Sequence, residues 1–419
     1  MSTASLDVTV VQAVSSRVPG PPSLAAVATA SAGAHGGRHA PRVVPRRWGE
    51  VRITGWSAAL KSSLLALGAA LALSHGAAAQ TPAPGTDPGL AAYAEPGTLV
   101  TLDDGRRMHV RCVGSGQPAV VLLAGLADWS ISWRKVQPAL SALTQTCTWD
   151  RAGFGYSEGS RLPQTMAQLT QDLRAALTLA GVRGPYVLVG HSAGGLEAVS
   201  FHDRHPDEVA GLVLVDPSVP GQADILAQAA PATSAVFQRQ TAGQVQKGRD
   251  CHRAALAGQL LPGQPDAGGC LRLLVPPTGP RAMVSLLEQL DADPLRWAAR
   301  ISLVEGFAGQ TLAMRRASRQ WGDLPTVVLG ATRRPRLPPD APAEVAAQWP
   351  AFFDAFGEQH RLLARLSTQG VHRLVPDAGH AIQSDQPAAV IEAVTEVVTG
   401  WRRLTDTAAA ASSRPPGGR

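Results

Sequence analysis

A chain of 419 residues that is 45% hydrophobic and 17% charged can hold one large globular domain with appendages. Its net charge of +6 points first toward nucleic acid, but residues 1–79 carry seven Arg or Lys against Asp7 and Glu50, so the remainder is nearly neutral and has no basic stripe. The four cysteines, at positions 112, 147, 251 and 270, have no C-x-x-C spacing, which argues against zinc; their even count would permit two disulfides in an exported protein.

Residues 1–51 are rich in Ala, Gly, Pro, Val and Arg without periodicity and read as a disordered leader, or as untranslated if Val43, Val44 or Val51 is the initiation site. Residues 52–79 read as a signal peptide. Arg52 and Lys61 form its positive start, residues 64–73 its apolar run, and Ala77-Ala78-Ala79 its cleavage site. The run is short for a membrane-spanning helix. The prolines and glycines of residues 80–98 then predict a linker. Residues 99–102 and 107–113, separated by Asp103-Asp104-Gly105, predict a hairpin, and residues 119–124 and 146–149 predict buried strands. Met166, Leu169, Leu173 and Leu177 have helical spacing, which predicts a helix over residues 165–180.

Residues 186–189 form an apolar β-branched run that turns at once into Gly190-His191-Ser192-Ala193-Gly194, followed by a helical pattern that stops at Pro206. Strand, G-x-S-x-G and helix together make a nucleophile elbow, in which a strained turn aims the serine hydroxyl out of the sheet. A sixth strand is predicted over residues 211–215. Regular alternation then stops, and residues 217–322 read as helical pieces broken by Pro and Gly. Residues 326–329 and 371–375 resume strand character, residues 387–401 form a last helix, and the tail over 405–419 reads as frayed.

On the elbow, the chain resembles the α/β-hydrolase superfamily over about residues 99–401. The resemblance implies an α/β fold: a twisted, mostly parallel eight-stranded sheet with helices on both faces. It also implies a core of residues 99–216 and 323–404, with a helical cap, residues 217–322, inserted after the sixth strand. The Asp150-to-Ser157 stretch matches the D-x-x-G-x-G-x-S that follows the fourth strand in this family. The family's strand order makes the second and fourth strands neighbours, so Cys112–Cys147 pairing is implied, and Cys251 and Cys270 would close a loop within the cap.

The family's chain order of serine, acid, histidine makes Ser192 the nucleophile and His380, just after the last strand, the base. His191 is read as a packing or hydrogen-bonding neighbour; His202, His205, His252, His360 and His372 are read as surface residues. The oxyanion hole needs two backbone N–H groups. Ala193 follows the nucleophile, and Leu126 follows Gly125 in the loop after the third strand. Where the family often places its acid, in a G-x-x-D after the seventh strand, this chain has Arg333. Asp216, Asp340 and Asp354 all keep the chain order; Asp216, at the carboxyl edge of a strand, is the best placed. Serine at the elbow argues against dehalogenase and epoxide hydrolase chemistry, which uses aspartate there in this superfamily.

The expected function is hydrolysis of a small-molecule carboxylic ester in the periplasm or outside the cell. No cofactor or metal is called for, no nucleic acid is expected, and no membrane association after signal cleavage. Amidase, peptidase, thioesterase or perhydrolase action could use the same triad, and a non-catalytic binding module could use the same scaffold.

Overall fold

The computed structural model describes residues 88–412 apart from 265–267, 272–273 and 275–278. The leader and the signal peptide lie outside the described residues. Eight strands form one sheet: β1 (Thr98–Thr101), β2 (Arg107–Val113), β3 (Ala119–Leu123), β4 (Thr146–Trp149), β5 (Tyr186–His191), β6 (Val209–Val215), β7 (Thr326–Ala331) and β8 (Gly370–Val375). Their order is β1-β2-β4-β3-β5-β6-β7-β8. The β1–β2 and β2–β4 pairs are antiparallel, and every other pair is parallel.

Central parallel strands are covered on both faces, so their residues are apolar without interruption. All of β3, β5 and β6 is buried. Successive side chains alternate between two cores. Val121, Leu123, Leu188, Leu212 and Leu214 pack on one face of the sheet, and Val120, Leu122, Val187, Val213 and Val215 on the other.

The helices in chain order are α1 (Pro88–Ala91), α2 (Gln137–Leu140), α3 (Met166–Leu179), α4 (Ala193–Arg204), α5 (Gln222–Ala229), α6 (Pro231–Leu256), α7 (Arg281–Asp291), α8 (Pro294–Ala313), α9 (Ala343–Ala364), α10 (Ile382–Asp385) and α11 (Pro387–Ser412). In α3, the predicted stripe Met166, Leu169, Leu173 and Leu177 is buried, and the Thr165 side chain caps the helix by accepting from Gln168 N. Helices α5 to α8 occupy the stretch between β6 and β7 in which strand alternation stops.

Helix α8 is fastened to the loop after β4. Arg296 donates to the carbonyls of Gly155 (2.9 Å) and Ser157, and Arg300 to that of Gly153 (2.6 Å). Asp291 pairs with both guanidinium groups, and all three side chains are buried. Buried charges persist when they are paired and hydrogen-bonded in this way.

Two expectations about the chain's margins change. The supposed linker is partly packed: Leu90 and Tyr93 are buried, and the Tyr93 hydroxyl donates to Gln137 Oε1 at 2.6 Å. A large aromatic ring in a Pro/Gly-rich stretch finds a core site once the sheet is assembled. The tail does not fray at Thr405, because α11 continues to Ser412. Its last turns include consecutive alanines, the best helix formers.

Both disulfides are formed. Cys112 and Cys147 stand directly opposite each other across the β2–β4 pair, and Cys251 in α6 joins Cys270. Closing the 19-residue separation of the second pair is worth about 3 kcal/mol in the chain-entropy model. Cys251→Ser should therefore lower the unfolding free energy by about that amount in urea titrations, and alkylation of unreduced protein should modify no cysteine. Four reactive thiols in the unreduced folded protein would contradict both bonds.

Candidate active site

Ser192 follows β5 directly, with φ 52° and ψ −121°. That backbone conformation is unfavourable for a residue with a Cβ, and hydrogen bonds on both sides hold it. Ser192 N donates to Val215 O, and Ser192 O accepts from Gly195 N and Ser218 N. Ser192 is also the N-cap of α4, yet its side chain makes no capping bond, so the hydroxyl is not committed to its own helix. Close approach explains the flanking glycines. A Cβ on Gly190 would lie 2.3 Å from Gly194 O, and one on Gly194 would lie 2.3 Å from Leu123 O.

Two backbone N–H groups lie on segments that adjoin the serine. Ala193 N is the first of α4, where helix geometry leaves the amide without an internal acceptor. Leu126 N belongs to the loop after β3. A Cβ placed on the neighbouring Gly125 would stand 3.7 Å from Ser192 Cβ, so this loop lies against the elbow. Among the described residues neither N–H has a hydrogen-bond acceptor. In the same loop, burial pushes the Asp128 carboxyl up to about 6, with its bond from Trp129 N acting against the shift.

Asp216 directly follows β6, with φ 42°. Its Oδ1 accepts from Ala331 N at 2.9 Å, and its Oδ2 lies 2.6 Å from His380 Nδ1. A carboxylate only accepts, so Nδ1 is the donor to Asp216, and Nε2 is the ring nitrogen left on the other side. Burial alone would raise the Asp216 pKa. The hydrogen bond from His380, the charges of the His380 and His360 rings and the Ala331 N–H outweigh it and hold the carboxyl below its ordinary value. Of the three acids that keep the chain order, only Asp216 meets His380. Asp340 is exposed in a turn, and Asp354 is exposed and paired with Arg334.

His380 is tied to the elbow through His191. The two rings are 4.7 Å apart, and His191 Nε2 donates to the His380 carbonyl at 2.9 Å. Burial pushes His191 down to about 3, so it stays neutral. Arg333, in the place where the family often puts its acid, steadies the histidine loop instead. Its N–H donates to Ala378 O at 2.8 Å, and its guanidinium pairs at 2.7 Å with Asp385, which also accepts from Gly379 N.

Three residues near the site escaped the sequence reading. His360 is not at the surface as expected; its ring is buried, with Nε2 donating to Pro217 O at 2.9 Å and Nδ1 3.9 Å from Asp216 Oδ1. Burial, only partly offset by Asp216, depresses its pKa. The signal for it was present, since Phe352, His360, Leu363 and Ala364 share one buried stripe of α9. His202, His205, His252 and His372 are partly buried rather than exposed. The other two residues are Arg151 and Glu197, a buried pair beside the loop after β3. No group of three or more His, Cys, Asp or Glu among the described residues is arranged to hold a metal ion.

Comparison with known proteins bears on the family of this chain. YbdG of Bacillus subtilis, an uncharacterised protein, is 31% identical over 128 residues, covering 30% of this chain and 39% of the relative. A protein of Cronobacter sakazakii named "Putative carbamate hydrolase RutD" is 35% identical over 103 residues, covering 24% of this chain and 38% of the relative. The matched segments thus span well under two thirds of these relatives. Among solved structures, a malate-bound thermophilic esterase from Thermogutta terrifontis is 19% identical with a TM-score of 0.45, covering 73% of this chain and 98% of that one. The profile of the alpha/beta hydrolase fold matches residues 118–387. That range is more than half of the chain and holds β3 to β8, the elbow, Asp216 and His380, so the protein belongs to the alpha/beta hydrolase family.

Proposed function

We propose that the protein is a serine hydrolase that cleaves carboxylic esters of small to medium size through an acyl-enzyme intermediate. The observation that carries this reading is the 2.6 Å contact between Asp216 Oδ2 and His380 Nδ1 beside a serine held in an elbow conformation. With Nδ1–H given to Asp216, His380 Nε2 can take the Ser192 proton as the hydroxyl attacks the ester carbonyl. The N–H groups of Leu126 and Ala193 receive the oxyanion. His380 then protonates the leaving alcohol and activates water, which releases the acid. His380 is 53% exposed, so water reaches it readily. Export to the periplasm or beyond accords with the two disulfides, and among the described residues no helix is long and apolar enough to cross a membrane.

We read residues 217–322 as a cap that shapes the pocket over Ser192. Leu126, Trp129 and Leu196, beside the elbow, share one apolar cluster with Met283, Leu287, Leu303 and Phe307 of α7 and α8. This insertion carries eleven Arg or Lys and seven Asp or Glu, a mixed charge that gives no preference for a strongly charged substrate.

A fluorophosphonate probe should label the wild type and leave Ser192→Ala unlabelled; equal labelling of both would remove Ser192 from the mechanism. Asp216→Asn should fold and lose turnover on the order of 10⁴-fold, measured on a p-nitrophenyl ester. Loss in Asp340→Asn but not in Asp216→Asn would transfer the acid to the loop. The depressed pKa of Asp216 also has a sign for stability. Its contribution is complete above the unfolded-state carboxylate value and disappears as pH falls through the lower folded value. Asp216→Asn should therefore flatten the acid side of the stability–pH curve from urea denaturation.

An apolar, bounded site gains roughly 0.8 kcal/mol per buried methylene until it is full. kcat/KM should rise from acetyl to about butyryl or hexanoyl esters and fall for longer chains. A steady rise through palmitoyl would mean an open groove in place of a cap.

A further inference from the structure

Arg151 is the second residue after β4, and its side chain is 3% exposed. It makes three kinds of contact at once. Nε donates to Glu197 Oε2 at 2.8 Å, Nη1 to the Gly125 carbonyl at 2.6 Å, and Nη2 to the Ala124 carbonyl at 2.5 Å. Glu197 is fully buried and lies on α4, five residues after Ser192. One planar fork therefore ties the loop after β3 to the helix that starts at the elbow. Those two elements carry the candidate oxyanion donors.

We propose that Arg151, held in place by Glu197, is a positioning residue that sets the direction and spacing of the oxyanion hole. The proposal rests on reading Ser192 as the nucleophile. In a trans peptide the C=O and the N–H point to opposite sides of the chain. The Gly125 carbonyl is held toward Arg151, so the Leu126 N–H of the same peptide unit points away from Arg151. The elbow lies against this loop, as the closeness of Gly125 to Ser192 Cβ and His191 Nδ1 records. The Ala124 carbonyl bond holds the preceding peptide unit, so the loop cannot rotate about a single contact. Glu197 pairs with the buried guanidinium, and through α4 it fixes the position of Ala193 N relative to Leu126 N. Lysine, with a single nitrogen on a flexible stem, cannot hold two carbonyls and a carboxylate in one plane.

The test uses the protein as the cell produces it and the variants Arg151→Lys and Glu197→Gln, the second being a neutral isostere. Rates are expressed per active site titrated with a fluorophosphonate, so unfolded protein does not count. A trifluoromethyl ketone, which forms a tetrahedral oxyanion on the nucleophile, reports on the hole directly. In Arg151→Lys, kcat/KM for a p-nitrophenyl ester should fall on the order of 10²-fold, the loss typical of one missing oxyanion donor. KM should move little, and the inhibition constant of the ketone should rise by a similar factor. Glu197→Gln should move both quantities together by a smaller factor. Unchanged kcat/KM per titrated site, or a fall carried by KM with ketone binding intact, would overturn the proposal even if Ser192 is the nucleophile. If wild-type protein is not labelled at Ser192, the parent reading fails first and the positioning role falls with it.

Discussion

The backbone of Ser192 is the constraint around which the structure is built. A non-glycine residue held at φ 52° costs on the order of 1–3 kcal/mol and persists only if its surroundings over-determine it. Here β6 accepts its amide, Gly195 and Ser218 donate to its carbonyl, and Gly190 and Gly194 let strand and helix come close enough to enforce the turn. The strain has a geometric consequence: a serine at a helix N-cap would ordinarily turn its hydroxyl onto its own helix, and this one does not.

The same device recurs beside it. Among the described residues, the non-glycine residues with left-handed φ are Ser192, Asp216 and Asp377. Each lies just beyond a strand, after β5, β6 and β8 respectively. They hold the candidate nucleophile, the candidate acid and the start of the loop that carries His380. Strain is thus concentrated along one edge of the sheet, where rigid parallel strands can absorb it.

Buried charge does related work on the insertion. Asp291, Arg296 and Arg300 give a helix of the β6–β7 insertion three backbone carbonyls of the Gly153–Ser157 loop to grip. Replacing such a group by apolar residues could be neutral for stability, whereas removing one partner would strand a charge. Its value therefore lies in fixing where α8 sits, and with it the apolar cluster around Trp129 and Leu196.

Local pattern determined a large part of this protein. Continuous β-branched runs marked the central strands, 3.6-residue spacing marked α3, and a strand–turn–helix stretch marked the elbow at Ser192; the resemblance to the α/β-hydrolases, with its chain order, then implied Ala193, Leu126 and His380. The strands, α3 and the elbow are statements about neighbours in sequence, which periodicity and turn chemistry encode directly. What local pattern left open were contacts between distant segments. Asp216, Asp340 and Asp354 all keep the chain order, with Asp216 the best placed; what pattern could not show is that the β6–β7 pairing brings Ala331 N onto Asp216 and that β8 delivers His380 to it from 164 residues away. His360 looked like a surface residue because a histidine's burial depends on what packs over it, here the turn at Pro217. Arg151 and Glu197 carried no pairing signal at all, because their partnership exists only once β3, β4 and α4 have converged.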